Sequence, residues 1–164
     1  MKGYAGLVPA DPVPADQRAT AAVLAVFKAS SWLLREVSPV FAEHGITVTR
    51  FDVLEALSRC GGTARPAELR DMLHLPAQTI TGVLDQLQAA GLVKRSPHPS
   101  DRRSTMAEVT PAGREAIDRL CPPLIAIEED CMSCLSPAEQ DQLIGLLTRI
   151  QERIAQRRGT ALAP

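Results

Sequence analysis

A polar loop near the middle of the chain carries the residues with the clearest chemistry. Asp101, Arg102 and Arg103 follow one another there, and an arginine side chain can enter the minor groove of DNA. The segment from residue 65 to 103 holds six basic and four acidic residues, although the whole chain has a net charge of −1. This local excess of positive charge is compatible with a surface that faces phosphate.

A second group of polar side chains lies upstream, at the start of a predicted helix. Gln78, Thr79 and Thr81 are small polar residues in its first turns. Glutamine can make two hydrogen bonds to adenine, and a threonine methyl can contact the thymine methyl. The N-terminus of a helix also attracts phosphate. These three residues and Arg65 are therefore candidate DNA contacts, with exposed helix surface and solvated charge as the alternative explanations.

The four cysteines support no metal or cofactor site. Cys131 and Cys134 form a single CxxC pair, whereas a zinc site needs four ligands and the chain has no second pair at that spacing. A redox motif of the thioredoxin type would need a βαβ context, which is missing. Packing is the favoured role of these thiols, and redox sensing at Cys60, Cys131 and Cys134 stays open. No cysteine–histidine pair or phosphate-binding glycine loop indicates an enzyme.

The composition favours one helical domain. The chain has 164 residues, of which 45% are apolar and only 3% aromatic, so its core must consist mainly of aliphatic side chains. There is no apolar run of about 18 residues that could span a membrane. The first 16 residues lack the apolar stretch of a signal peptide. We therefore expect a cytoplasmic protein without a membrane segment.

The N-terminal half has a helical pattern after a proline-rich arm at residues 1–15. A first helix is predicted from Asp16, with a kink at Pro39 and a stop at Gly45. A capping box at residues 49–52 opens a second helix, which the glycine pair at 61 and 62 should end.

The middle of the chain shows two short helices followed by two strands. The third helix is predicted from Pro66 to Leu73, and the fourth from Ala77 to about Ala90. Residues 92–95 and 105–110 then have strand character and flank a polar loop at residues 97–104. A hairpin of this kind is called a wing. Two helices that are separated by a short break and followed by a wing are typical of a winged helix-turn-helix.

The C-terminal part returns to helix. Pro111 opens a long helix with a predicted kink at residues 122–123. Ser136, Pro137 and Glu139 then form the N-cap, N1 and N3 positions of a last helix.

These motifs resemble those of the MarR (multiple antibiotic resistance regulator) family over residues 20–157. The most specific piece is the Asp-x-Arg wing followed by a strand and Thr-x-x-Gly. The residues that carry the resemblance are Leu54, Leu57, Glu68-Leu69, Thr79, Asp85-Gln86-Leu87, Gly91-Leu92-Val93-Lys94-Arg95, Asp101-Arg102-Arg103, Thr110-Pro111-Ala112-Gly113 and Leu135-Ser136-Pro137-Ala138-Glu139.

The resemblance implies a mostly α (α+β) fold and a homodimeric regulator that binds a palindromic operator in double-stranded DNA. By that resemblance Asp101 positions the wing and Arg103 enters the minor groove. The expected divisions are a dimerisation helix at 16–45, a winged helix-turn-helix at 46–110 with a two-stranded wing, C-terminal dimerisation helices at 111–157 and a tail at 158–164. The expected function is repression that a small molecule relieves. The alternatives are a redox-sensing regulator and a protein-interaction module without DNA binding.

The resemblance also implies an effector crevice for a small aromatic or phenolic ligand. Trp32, Arg35, His44 and Phe51 are its candidate lining, with core packing as the alternative. The chain departs from the family pattern at Gly82, where many relatives carry a basic residue.

Overall fold

The computed structural model describes residues 14–97 and 105–158. It divides into two units, one up to Pro39 and one from Val40 onward. The elements in chain order are α1 Arg18–Glu43, α2 Val48–Arg59, β1 Thr63–Ala64, α3 Pro66–Leu73, α4 Ala77–Ala89, β2 Val93–Pro97, β3 Thr105–Val109, α5 Pro111–Met132 and α6 Pro137–Arg158.

The first unit consists mainly of helix α1. The helix begins at Arg18, after a turn in which the Gln17 amide donates to the Pro14 carbonyl, so the predicted start at Asp16 was two residues early. Pro39 lies inside the helix, which continues to Glu43. Gly45 follows with a φ of 64°. This left-handed conformation is one that glycine adopts without strain, so the predicted stop is confirmed.

The second helix is capped two residues earlier than predicted. Thr47, and not Thr49, is its N-cap, and the Thr47 hydroxyl accepts a hydrogen bond from the Arg50 amide at 3.3 Å. The shift follows from local bonding, since an N-cap oxygen reaches the amide three residues ahead. The helix ends at Arg59, and Gly61 and Gly62 both have positive φ values, as expected from their sequence.

Helices α2, α3 and α4 pack together around a leucine core. Leu54, Leu57, Leu69, Leu84 and Leu87 are all fully buried. The bounds of α3 agree with the prediction, and α4 ends within one residue of it. His74 has a left-handed conformation at the end of α3 and separates the two helices of the helix-turn-helix.

The wing belongs to a sheet of three antiparallel strands in the order β1-β3-β2. The prediction contained only β2 and β3. Strand β1 was missed because two residues show no periodicity, although Ala64 pairs with Ala107 and both are buried. The hairpin register runs from Val93 opposite Val109 to Pro97 opposite Thr105, so β2 reaches two residues beyond its predicted end.

Helices α5 and α6 complete the second unit. α5 begins at Pro111, contains Pro122 and Pro123, and buries Leu120 and Leu124 on one face. α6 begins as predicted, because Glu139 accepts from both the amide and the hydroxyl of Ser136. No helix in residues 14–97 or 105–158 is long and apolar enough to cross a membrane.

Candidate nucleic-acid interface

Helix α4 presents its first two turns to solvent on one face. Gln78 and Thr81 are exposed and Thr79 is half-buried. The opposite face of α4 packs into the core through Ile80 and Leu84. The sequence pattern thus separates a buried apolar face from the polar face that was predicted to contact DNA.

The N-terminus of α4 has no side-chain cap. Its N-cap residue is Pro76, which makes no capping hydrogen bond through its side chain. The first amides of a helix have no partners within the helix, so those of α4 remain open to an incoming phosphate oxygen. The Thr81 hydroxyl donates to the Ala77 carbonyl at 2.9 Å. Thr81 therefore offers its methyl group and acceptor lone pairs, but not its proton, to a base.

An arginine of the wing holds α4 in place. Arg95 Nη1 lies 2.8 Å from Asp85 Oδ1, and Arg95 Nη2 donates to the Thr81 carbonyl at 3.1 Å. The Arg95 side chain is only 24% exposed. Sequence analysis did not predict this pair, because the ten-residue separation of Asp85 and Arg95 in the chain does not reveal that β2 folds back along α4.

A second junction joins the end of α4 to the start of α5. Thr110 Oγ1 accepts from the Gly113 amide at 3.0 Å and donates to the Gly91 carbonyl at 2.7 Å. A Cβ atom at Gly113 would overlap the Leu92 carbonyl oxygen and lie 2.8 Å from Val109 Cγ2. The Thr-x-x-Gly motif therefore has a packing function: the threonine caps α5, and the glycine permits close approach of α5 to residue 92.

The basic residues near α4 form ion pairs. Arg65 pairs with Glu68 at 2.7 Å, where Glu68 also accepts from the Arg65 amide. The other basic residues of segment 65–97 also form ion pairs. Arg70 lies 2.7 Å from Asp71, Lys94 lies 3.0 Å from Glu108, and Arg95 pairs with Asp85 as described above. An exposed pair such as Arg65 with Glu68 contributes little stability, so Arg65 can exchange its carboxylate partner for a phosphate.

The predicted wing contacts lie outside the described residues. Asp101, Arg102 and Arg103 all fall in the segment 98–104. The structure describes the two strands that flank this segment, which are paired up to Pro97 and Thr105.

The candidate effector residues are divided between the two units. In the first unit, the Arg35 guanidinium lies 5.3 Å from the centre of the Trp32 ring, and Trp32 is 53% exposed. In the second unit, His44 Nδ1 is 2.8 Å from the Val40 carbonyl, and His44 lines a cavity. Phe51 is buried, with its ring centre 5.5 Å from that of Phe41. The position of Phe51 agrees with the packing alternative.

The cysteines are free thiols in the described part of the chain. Cys60 and Cys131 are half-buried, and the exposed Cys134 Sγ lies 3.8 Å from the Cys131 carbonyl. Burial and the nearby carboxylates of Glu55, Asp118 and Glu128 raise the pKa of the Cys121 thiol, which disfavours its reactive thiolate form. Within residues 14–97 and 105–158, no cluster of three or more potential ligands could hold a metal ion. Redox sensing at Cys60, Cys131 and Cys134 stays a prediction.

Together α2, α3, α4 and the β2–β3 hairpin define a winged helix-turn-helix protein. The MarR family profile matches residues 44–104. The regulator PecS of Dickeya dadantii is 30% identical over 126 residues, which cover 76% of each chain. The regulator MhqR of Bacillus subtilis is 32% identical over 66% of this chain and 74% of its own length. The chain therefore belongs to the MarR family of transcriptional regulators, and the expectation that it is not an enzyme is confirmed.

Solved structures share the fold at lower identity. Sco3205 of Streptomyces coelicolor, a MarR family regulator in complex with DNA, has a TM-score of 0.78 at 19% identity over 88% of this chain and 92% of that one. BpsR of Bordetella bronchiseptica, whose DNA binding is regulated by 6-hydroxynicotinic acid, has a TM-score of 0.74 at 23% identity over 87% of this chain and 99% of that one. At these identities the likeness concerns the fold.

Proposed function

We propose that this chain is a cytoplasmic, homodimeric repressor that binds a palindromic operator and is released by a small aromatic or phenolic molecule. The main observation that supports DNA binding is the polar first half of α4. Gln78 and Thr81 are exposed there, next to a helix N-terminus without a side-chain cap. Such a helix fits the major groove and contacts base edges with its N-terminal residues. Family membership and the DNA-bound structure of Sco3205 support this assignment.

In this proposal each part of the winged helix has its own contact with DNA. Gln78, Thr79 and Thr81 meet bases in the major groove, and Arg65 contacts phosphate. Arg102 and Arg103 in the wing reach the flanking minor groove, and Asp101 positions the wing. The net charge of the chain is only −1, so attraction to DNA depends on these few cations. Binding should therefore weaken steeply with added salt as counterions are released.

The terminal helices support the homodimer. On α1, Val23 and Phe27 are 53% and 66% exposed, and on α6, Ile144 and Ile150 are 63% and 48% exposed. Large apolar side chains repeated along a helix face are costly to leave in water and mark an interaction surface. A second copy of the chain would cover both faces and place two α4 helices on two half-sites, about one DNA turn apart.

Release by a small molecule requires a ligand that binds the DNA-free conformation more tightly than the DNA-bound one. In BpsR, a protein of the same fold, DNA binding is regulated by the small molecule 6-hydroxynicotinic acid. The candidate residues Trp32, Arg35, His44 and Phe51 remain the proposed contacts for such a ligand.

Selection of bound sequences from a random DNA pool tests the proposal directly. The expected product is an inverted repeat with half-sites about one turn apart, to which the purified chain binds as two copies. A pool that shows no enrichment would contradict the proposal and favour a protein-interaction module. A reporter gene placed behind the selected sequence then gives the sign of regulation, because a repressor must lower its expression.

Two substitutions test the individual contacts. Gln78→Ala and Arg103→Ala should each weaken binding to the selected DNA by about 1–3 kcal/mol. Gln88→Ala is the control for Gln78, since Gln88 is an exposed glutamine near the other end of α4 and should leave the affinity unchanged. Equal affinity of the Gln78→Ala and Gln88→Ala variants would contradict the proposed orientation of α4.

A further inference from the structure

Helix α4 is tied to two different elements by arginines. Arg95 of β2 contacts Asp85 and the Thr81 carbonyl, as described above. Arg50 of α2 reaches α4 from another side, where its Nε donates to Gln86 Oε1 at 2.8 Å. The proposed DNA contacts make no use of this second hydrogen bond.

The two contacts lie on either side of Gln78 around the axis of α4. An α-helix turns by about 100° per residue, so Gln86 lies about 80° from Gln78 in one direction. Thr81 and Asp85 lie about 60° and about 20° from it in the other direction. The buried Leu87 lies on the far side of the helix. The exposed face that carries Gln78 is therefore bracketed by one arginine contact on each side.

Arg50 lies where its own helix does not favour a positive charge. It belongs to the first turn of α2, which contains no acidic residue. The N-terminus of a helix carries a partial positive charge, so a cation in that turn is unfavourable. Gln86 is exposed and Arg50 is half-buried, and both line the cavity that His44 also lines. Since packing does not enclose these two side chains, their hydrogen bond is the contact that fixes their positions.

We propose that Arg50 is a positioning residue for DNA recognition, which sets the rotation of α4 about its own axis through Gln86. This proposal rests on the proposed entry of α4 into the major groove. Side chains extend about 5–6 Å from a helix axis, so a rotation of about 10° moves their ends by about 1 Å. Such a shift takes a hydrogen bond out of its usual range of about 2.7–3.2 Å. The Arg50–Gln86 bond therefore determines which base edge Gln78 meets.

Gln86→Leu tests the contact without changing any charge. Leucine cannot accept a hydrogen bond from Arg50, and position 86 is exposed, so the variant should keep its helical circular dichroism. Its affinity for the selected DNA should fall by about three- to tenfold, the equivalent of one hydrogen bond. Gln88→Leu is the control, because Gln88 is exposed two residues further along α4. Equal affinities of the two variants would overturn the proposal.

Exchange of the two residues tests whether the bond itself is required. Gln86→Arg places two guanidinium groups side by side and so removes the bond. The double variant Arg50→Gln/Gln86→Arg has the net charge of the wild type and restores a bond between a guanidinium and an amide. It should bind the selected DNA more tightly than Gln86→Arg, although it carries one positive charge fewer. Weaker binding by the double variant would show that charge near α4, and not the bond, determines affinity.

Salt dependence separates positioning from a direct phosphate contact of Arg50. Each cation that neutralises a phosphate contributes about −0.9 to the slope of log K against log salt concentration. If Arg50 acts through α4, Arg50→Gln and Gln86→Leu should both keep the slope of the wild type. A slope that is shallower by about one in Arg50→Gln alone would mean that Arg50 contacts the DNA itself, and the positioning role would be overturned.

Base preference provides a readout that a mere loss of stability would not change. Gln78→Ala first identifies the base pair that Gln78 reads, because changing that pair costs affinity in the wild type but not in the variant. In Gln86→Leu, the cost of the same base change should shrink by at least about threefold. Undiminished discrimination would overturn the positioning role and leave the proposed DNA binding intact. If the wild type selects no DNA at all, the proposed function and the positioning role are both overturned.

Discussion

At Gly113, packing of the main chain decides which residue is tolerated. A Cβ atom there would overlap the Leu92 carbonyl oxygen, and the hydrogen bonds of Thr110 with Gly91 and Gly113 tie the two segments together at this point. Gly113→Ala should therefore lower the free energy of unfolding by about 2 kcal/mol, a typical cost of overpacking. Urea denaturation followed by circular dichroism measures the change.

Gly82 provides the matched control, because the same substitution has the opposite expected sign. A Cβ at Gly82 meets nothing within 4 Å, and alanine has a higher helix propensity than glycine. Gly82→Ala should raise the free energy of unfolding by about 0.5–1 kcal/mol. A destabilised Gly82→Ala protein would contradict the open environment assigned to this position.

Asp52 makes stability depend on pH. Burial, and secondarily the charge of Glu55, raise the pKa of Asp52 in the folded protein above its ordinary value of 3.8. The folded state then binds protons more readily than the unfolded state. The contribution of Asp52 to the free energy of unfolding is therefore complete below pH 3.8. It is lost as the pH rises through the higher pKa of Asp52 in the folded state. At pH 7 the half-buried carboxylate is a net cost.

Asp52→Asn should remove that cost. The urea midpoint of the variant should exceed that of the wild type at pH 7, and the difference should disappear as the pH approaches 3.8. Asp141→Asn is the control, because Asp141 is exposed on α6 and its substitution should change neither midpoint. A variant that is less stable than the wild type at pH 7 would show that Asp52 has a favourable partner when charged.

At the scale of elements, Arg95 determines how firmly α4 is held against the wing. Its guanidinium contacts both the Asp85 carboxylate and the Thr81 carbonyl. Arg95→Ala should cost about 1–3 kcal/mol of stability, since it removes hydrogen bonds of a largely buried charged group, and it should also weaken DNA binding by loosening α4.

Lys94→Ala is the comparison for Arg95→Ala. Lys94 precedes Arg95 in β2 and pairs with Glu108, but its side chain is 59% exposed. An exposed pair contributes less than about 1 kcal/mol, so this variant should be close to the wild type in unfolding and in DNA affinity. If both variants lose stability equally, the contacts of Arg95 with α4 have no special role.

The helices could be predicted from the sequence because their signals are local. The helical spacing of Ile80, Val83, Leu84 and Leu87 predicted α4, and Pro66 with Glu68 predicted α3. The N-cap of α2 was mispredicted because Thr47 and Thr49 are both plausible capping residues. Strand β1 was missed because it is too short to show a pattern. The contact of Arg95 with Asp85 and the cavity around Arg50 could not be predicted, because they join segments that only the tertiary fold brings together. The cavity draws on segments 43–50, 86–92 and 116–120.

At the scale of the whole molecule, the exposed apolar residues of α6 demand a partner surface. Leu143, Ile144, Leu146, Ile150 and Ile154 are 37–63% exposed, and Ala155 is the buried residue of this helix among those described. Full burial of an exposed leucine or isoleucine contributes about 1.5–3 kcal/mol, and these partly buried side chains would each gain a fraction of that. Covering these side chains with a second copy would favour the proposed homodimer, which the proposed inverted-repeat operator also requires.

Ile150→Glu should therefore weaken the proposed dimer by at least about tenfold, since it places a charge in the apolar surface proposed to associate. Gln151→Glu adds the same charge at the next residue, which is polar and exposed, and should leave association nearly unchanged. Sedimentation velocity over a concentration series measures both dissociation constants.

The Ile150→Glu protein should keep its helical circular dichroism, because the isoleucine is not part of the buried core of its own chain. Binding to a full inverted repeat should fall to the level of a single half-site. A wild type that sediments as a monomer at every concentration would contradict the dimer, and the two-site mode of DNA binding with it.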